Sequence, residues 1–245
     1  MSSLFISDLH LQPGQPAVTA HMLSLLDKLA PQYDSLWILG DFVEYWLGDD
    51  AYDGSLDPVL NALKSLHEIH GTRIRVMFGN RDFLLGDDFA AKTGSEVISD
   101  DKVLIEEAGR RILLMHGDTL CTEDSGYQQL RVILRNPTFI ADFLRLSVPE
   151  RVKKAVALRE QSQAETADKS SEIMDVSPAT VAATVKEAGA DLLIHGHTHR
   201  PALHQAPDSG YTRIVLGDWH PEGAMIATLE DDGTAALRHW PEDFS

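Results

Sequence analysis

An α/β domain carrying a helical insertion is the fold class this sequence predicts, and three observations carry the prediction. Short apolar runs alternate with amphipathic stretches through the first hundred residues, the pattern turns helical between residues 125 and 177, and strand-like runs resume after that. A βαβαβ order builds a largely parallel sheet, with the loops at the strand C-terminal ends gathered at one edge.

Each element has its own signal. "SLFIS" at 3–7 is a short apolar run of buried-strand length, and 18–29 places Met22, Leu25, Leu26 and Leu29 on one helical face. "SLWILG" at 35–40 is a second strand, 58–69 a second helix and "RIRVMFG" at 73–79 a third strand. "DKVLIEEAGRRILLMHGD" predicts a hairpin turning at Ala108, Gly109 and Arg110. In the insertion, Pro137 and Pro149 each open a new helix, since proline is tolerated only in a first turn. Phe139, Ile140, Phe143, Leu144 and Leu146 nearly surround one of these helices, while "QSQAETADKSSE" is a loop or a weak helix. A helix at 178–188, the strand "LLIHG" and strands near 211–217, 223–229 and 234–240 complete the chain, which reads as one domain over 1–245 with a helical cap at 125–177.

Composition excludes several classes. With 43% hydrophobic and 24% charged residues the 245-residue chain is ordinary soluble material, and its single cysteine rules out an internal disulfide. "MSSLFISDLH" lacks the basic start of a signal peptide, so the cytoplasm is the expected location. A net charge of −17 argues against nucleic-acid binding. Residues 128–159 run the other way, with seven basic against two acidic side chains, or +5. A basic island in an acidic protein points to a local anionic partner, and an anionic membrane surface is one.

The chemistry lies at the strand ends. Asp8 and His10 follow the first strand, Asp41 the second, and Asn80, Arg81 and Asp82 the third. His116 follows "ILLM", and His195, His197 and His199 lie in "HGHTH". Loops at that edge converge, so these groups are expected to meet. If the chain stays extended, the i, i+2 spacing of Asp8 with His10 and of His197 with His199 aims each pair one way. A mixed carboxylate, imidazole and amide set suits Mn, Fe, Zn or Co. There are more donors than one ion usually takes from protein, so a pair of ions, the arrangement used for displacement at phosphorus, fits better.

These motifs in this order, D-x-H, G-D, G-N-R-D, H and G-H-x-H, resemble the calcineurin-like metallophosphoesterase family. The resemblance implies an αββα two-sheet sandwich flanked by helices. It also implies one divalent ion on Asp8, His10, Asp41 and His199 and a second on Asp41, Asn80, His116 and His197, with His195 outside the pattern. The stretches "LFISDLHL", "ILGDFVEYWLGDD", "GNRDFLLG", "LLMHGDTLCTEDSGYQ", "KSSEIMDV", "LIHGHTHRP" and "LGDWHPEG" are similar to the branch that acts on UDP-2,3-diacylglucosamine in lipid A biosynthesis. That branch implies hydrolysis to UMP and 2,3-diacylglucosamine 1-phosphate with Mn as the expected ion, by water activated between two metals, on the cytoplasmic face of the inner membrane. It implies substrate contacts from Asn80, Arg81, Asp124, Ser162, Thr166, Lys169 and His197, and Tyr127 and Arg159 are further candidates on the cap. Many family members have histidine where Arg81 stands. Arginine cannot serve as an acid near neutral pH but forks onto phosphate oxygens, which favours a diphosphate substrate. A cyclic-nucleotide or phosphoprotein phosphoesterase, and a non-catalytic scaffold, are the alternative readings.

Overall fold

The structure, a computed structural model, describes residues 1–167, 175–206 and 210–244. The first half follows the expected alternation: β1 (Ser3–Ile6), α1 (Pro16–Lys28), β2 (Ser35–Leu39), α2 (Asp57–His70) and β3 (Arg73–Met77). Next come α3 (Asp87–Thr93), β4 (Glu96–Ile98), β5 (Lys102–Glu107) and β6 (Arg110–Met115). Three helices follow, α4 (Ser125–Leu134), α5 (Pro137–Leu144) and α6 (Val148–Ala167). The chain then gives α7 (Pro178–Ala188), β7 (Leu192–His195), β8 (Ala202–Ala206), β9 (Tyr211–Val215), β10 (Ala224–Leu229) and β11 (Ala235–Trp240).

The strands form two sheets, ordered β11-β10-β1-β2-β3-β4 and β5-β6-β7-β9-β8. β1 through β4 run parallel, with β10 and β11 antiparallel at one edge; the second sheet is mixed. Strand alternation explains the layering. Leu4, Ile6, Leu36, Ile38, Ile74 and Val76 face α1, α2 and α3, while Phe5, Trp37, Leu39 and Met77 point the other way. The latter meet Ile112, Leu114, Leu192, Ile194 and Ile214 of the second sheet, whose far face packs Leu113 and Leu193 on Val181 and Val185 of α7. Helix, sheet, sheet and helix thus stack in four layers, with the central strands β1, β2 and β7 burying both faces.

Three elements escaped the sequence reading: α3, β4 and β8. The N-terminal amides of α3 are capped from a distance, because Asp49 accepts from Gly86 N and Asp88 N at 3.1 and 2.9 Å. A cap 37 residues away leaves no local sign. β4 is only three residues long, and β8 is an edge strand with little alternation. The proline starts, by contrast, behave as expected: Asn136 caps α5, accepting from Thr138 N and Phe139 N, and Pro149 lies in the first turn of α6.

Ile194 sits fully buried between the two sheets, directly before the "HGHTH" loop. Ile194→Ala is expected to lower unfolding free energy by about 2–5 kcal/mol in a denaturant titration, because packed sheets cannot close over the lost methyl groups.

Candidate metal centre

The loops after β1, β2 and β7 deliver their polar residues by breaking out of extended geometry. Asp8, His10, Asp41, His197 and His199 all adopt left-handed φ angles of 49–70°, a region that non-glycine residues rarely occupy. The expectation that Asp8 and His10, and His197 and His199, project together from extended chain is therefore corrected. A left-handed residue at both positions of each pair coils the loop inward and brings the side chains to one place. Backbone hydrogen bonds hold the loops: Asp8 N donates to Gly40 O at 3.1 Å, His10 N to Asp41 O at 3.0 Å and Gly196 N to His116 O at 2.8 Å. The packing is tight enough to require glycine at Gly79, where a Cβ would lie 2.1 Å from Asp41 Oδ1.

The side chains of Asp8, His10 and His199 form one cluster of potential ligand atoms within 4.8 Å of one another, and those of Asp8, Asp41 and His116 form another. Asp41 Oδ2 lies 3.8 Å from His10 Nε2 and also 3.8 Å from His116 Nε2, which puts it between the two groups. Asn80 Oδ1 lies 2.9 Å from His116 Nε2 and 3.0 Å from His197 Nδ1, which are themselves 3.1 Å apart. His116 Nδ1 donates to Leu39 O at 2.9 Å, which leaves Nε2 facing the cluster. Asp8 Oδ1 is buried with no hydrogen-bond partner. Oxygen and imidazole acceptors crowded around a buried carboxylate oxygen, which His199 Nε2 approaches only to 3.4 Å, are the donor chemistry of a divalent transition metal. All seven expected ligands meet here.

Supporting groups that the sequence reading passed over complete the site. Ser7 Oγ and His197 N both donate to Asp8 Oδ2, at 2.6 and 2.9 Å. Glu44, nearly buried, faces His10 Nδ1 at 3.3 Å and Arg81 Nη1 at 3.0 Å, and pairs with Arg159. Asp218 lies 3.3 Å from His199 Nδ1 and fixes that ring, the role of a carboxylate behind a metal-binding histidine. Asp118 accepts from Tyr127 Oη at 2.6 Å and from Arg131 Nε at 2.7 Å. Glu44, Asp118 and Asp218 lie within otherwise informative stretches, but only contacts across the fold mark them out. Asp82, fully buried, accepts from Gly79 N and Phe42 N and clamps the two loops together.

The field splits the histidines. Burial pulls the His197 imidazole down to about 4, with His116 adding to the effect. Burial also lowers His199, but Asp218 and Asp8 outweigh it and hold that ring at about 10. Burial alone would raise Asp8; His199, His116 and Ser7 instead drive it well below the usual carboxylate range. His195 is fully buried, its Nδ1 2.9 Å from Gly196 O and its Nε2 without a partner, and burial pushes it down to about 3. It is a neutral core residue outside both ligand clusters.

A cavity of about 590 Å³ opens on these groups. His10, Asp41, Asn80, Arg81, His197 and His199 line one part; Leu130, Leu134, Phe139, Ile140, Phe143 and Leu158 line another. Asp124, Tyr127 and Arg159 also line it, with Asp124 capping α4 through Tyr127 N. Ser162 and Thr166 are on α6 but their side chains, like all of Lys169, lie outside the described residues. The basic island is largely spent inside the protein. Arg131 pairs with Asp118 and Asp101, Arg151 with Asp50, Arg159 with Glu44 and Arg145 with Asp142, and Arg135 donates to Gly79 O. Lys153 and Lys154 stay exposed.

Comparison with known proteins agrees with this geometry, since the family pattern described as calcineurin-like phosphoesterase matches residues 1–201. The chain belongs to this family. As a calcineurin-like phosphoesterase it is a metal-dependent hydrolase, and its Asp/His cluster is the divalent-metal site. Its similarity to proteins named UDP-2,3-diacylglucosamine hydrolase is extensive. The protein of that name from Chromohalobacter salexigens is 45% identical, over 98% of both chains. Those from Stenotrophomonas maltophilia and Yersinia enterocolitica are 46% and 43% identical, over 92% and 94% of this chain and 94% and 96% of theirs.

Metal binding by this phosphoesterase should depend on pH in a definite direction. His199, held near 10 without metal, is a cation at neutral pH and must release its proton before it can ligate. Affinity for Mn or Co is therefore expected to rise with pH from 6 to 9, roughly tenfold per unit for that one proton, as measured by chelator competition.

Proposed function

We propose that this phosphoesterase hydrolyses UDP-2,3-diacylglucosamine to UMP and 2,3-diacylglucosamine 1-phosphate, a step of lipid A biosynthesis. The observation that carries the reading is one cavity that joins the ligand cluster to an apolar chamber built by α4, α5 and α6. A phosphate-cleaving centre that opens into a greasy chamber fits an acylated diphosphate better than a cyclic nucleotide or a phosphoprotein. Near-full-length similarity to proteins named for that activity supports it.

In this reading Asp8, His10, Asp41 and His199 hold one ion and Asp41, Asn80, His116 and His197 a second, Mn being the expected metal. Ions held there would supply Lewis acidity, lowering the pKa of water and offsetting charge at phosphorus. Arg81 binds the substrate's phosphate oxygens through its fork. Its present partner, Glu44, holds it at the cavity wall until an anion competes for it. Arg159 shares that carboxylate and reaches from α6, so an incoming diphosphate meets two guanidinium groups, one from the cap. Asp124 and Tyr127 shape the α4 wall, and Ser162, Thr166 and Lys169 are further expected substrate contacts. The leaving group is already a phosphate, which removes the need for a strong acid where other members have histidine.

The helices at 125–177 act as a cap over the acyl chains and as the face turned to the membrane. Val132 and Ile133 are 72% and 55% exposed on α4, and Lys153 and Lys154 project from α6. Since most of the island's arginines are paired internally, apolar insertion outweighs headgroup attraction in a peripheral contact with the inner membrane's cytoplasmic face. No helix among the described residues is long and apolar enough to cross a membrane.

Hydrolysis of UDP-2,3-diacylglucosamine in water enriched in ¹⁸O should place the label in UMP, read by mass spectrometry. Label in the sugar phosphate, or efficient turnover of cyclic nucleotides with none of the lipid substrate, would overturn the reading. Arg81→Ala is expected to lower kcat/KM by roughly 10²–10³-fold while metal content stays at the wild-type level.

A further inference from the structure

A second cavity, of about 290 Å³, lies beside the metal centre. Thr198 and Arg200 line both cavities, so the loop that carries His197 and His199 is their common wall. Its remaining polar lining is Asp175, His204 and Arg213, and its volume falls at the low end of small-molecule sites, ~300–1,000 Å³.

The charges in this lining are not arranged for stability. Arg213 on β9 stands directly opposite His204 on β8, so two basic side chains share one face of an antiparallel pair. Basic groups facing each other across a ladder are unfavourable when both are charged. Burial and the neighbouring Arg213 lower His204, which keeps that ring neutral near pH 7. The nearby carboxylate, Asp175, is engaged by Arg200. Among the described residues the Arg213 guanidinium has no side-chain hydrogen bond or salt bridge, although it is half-buried, and that burial lowers its pKa. A half-buried guanidinium without a side-chain partner leaves its donors open to an acceptor in the cavity.

We propose that this cavity receives the nucleoside end of the diphosphate substrate, with Arg213 donating to the carbonyl oxygens of a pyrimidine base. The inference rests on the function proposed above and extends it to the half of the substrate that the apolar chamber leaves unaccounted for. The mixed lining selects a base over a free phosphate. Arg213 supplies donors for the carbonyl oxygens of a uracil edge, whereas the Asp175 carboxylate repels a second phosphate. Thr198, between two metal-binding histidines, is placed for a ribose hydroxyl. With the attacked phosphorus at the metal centre, the acylated sugar extends into the large cavity and the nucleoside into the small one.

The test uses the Mn-loaded full chain with bis(p-nitrophenyl) phosphate as reporter and compares inhibition by UMP with inhibition by inorganic phosphate. Both inhibitors compete for the metal centre, so the ratio of their inhibition constants isolates the nucleoside. Wild type should bind UMP at least tenfold more tightly than phosphate. Arg213→Gln should bring the ratio to within about twofold of one, and so should Ala202→Phe, which fills the cavity without altering its charges. A wild-type ratio near one, or a ratio unchanged in the variants, overturns the proposal. Turnover of UDP-2,3-diacylglucosamine by wild type is the separate arm. Turnover without a UMP preference removes the nucleoside cavity and keeps the substrate; an Arg213-dependent UMP preference without turnover keeps the cavity and removes the acylated substrate.

Discussion

Asp8 and Asp41 are sealed from solvent at the C-terminal edge of adjacent parallel strands, facing imidazoles and an amide oxygen that compete as acceptors. Two buried carboxylates so close to each other repel, and the desolvation cost is large unless cations meet them. Much of the surrounding structure answers that requirement. Backbone amides of Arg81 and His197 donate to them, Ser7 adds a hydroxyl, and His199 carries a compensating proton in the absence of metal. Asp82 ties the loops after β2 and β3 together from beneath.

The same requirement explains where the backbone is strained. Of the non-glycine residues with left-handed φ among the described residues, all but Ala108, at the β5–β6 turn, are metal-ligand candidates. Each unfavourable conformation costs of order 1–3 kcal/mol and persists only when packing over-determines it. The two-sheet core supplies that packing, with Phe5, Trp37 and Ile194 at its centre directly before three of the loops in question. Rigid strands thus hold ligands that local preference alone would release.

Glu44 links this centre to the cap. One nearly buried carboxylate faces His10, Arg81 and, from α6, Arg159. Burial alone would raise Glu44; His10, Arg81 and Arg159 instead lower it, so it stays ionised. Cap position and ligand position are therefore coupled through a single charge. The basic island that looked like a membrane patch is, for the most part, a set of such internal pairs.

The sequence by itself determined which polar residues would gather at the strand ends, the alternation of strands and helices before them, and the proline-started helices at 137 and 148. These are local matters: a strand's apolar run, a proline at a helix start and a polar residue just past a strand end are all written within a few positions. Only tertiary structure decided how the loops coil, since the left-handed turns at Asp8 and His197 are held by hydrogen bonds across the site, from Asp8 N to Gly40 O and from His197 N to Asp8 Oδ2. It also decided which arginines are free. Arg151 and Asp50, or Arg131 and Asp101, are far apart in the chain and meet only because the cap folds back onto the sandwich. Glu44, Asp218 and Arg213 took on meaning in the same way, for a charge is defined by its neighbours and the chain brings those neighbours together only when it folds.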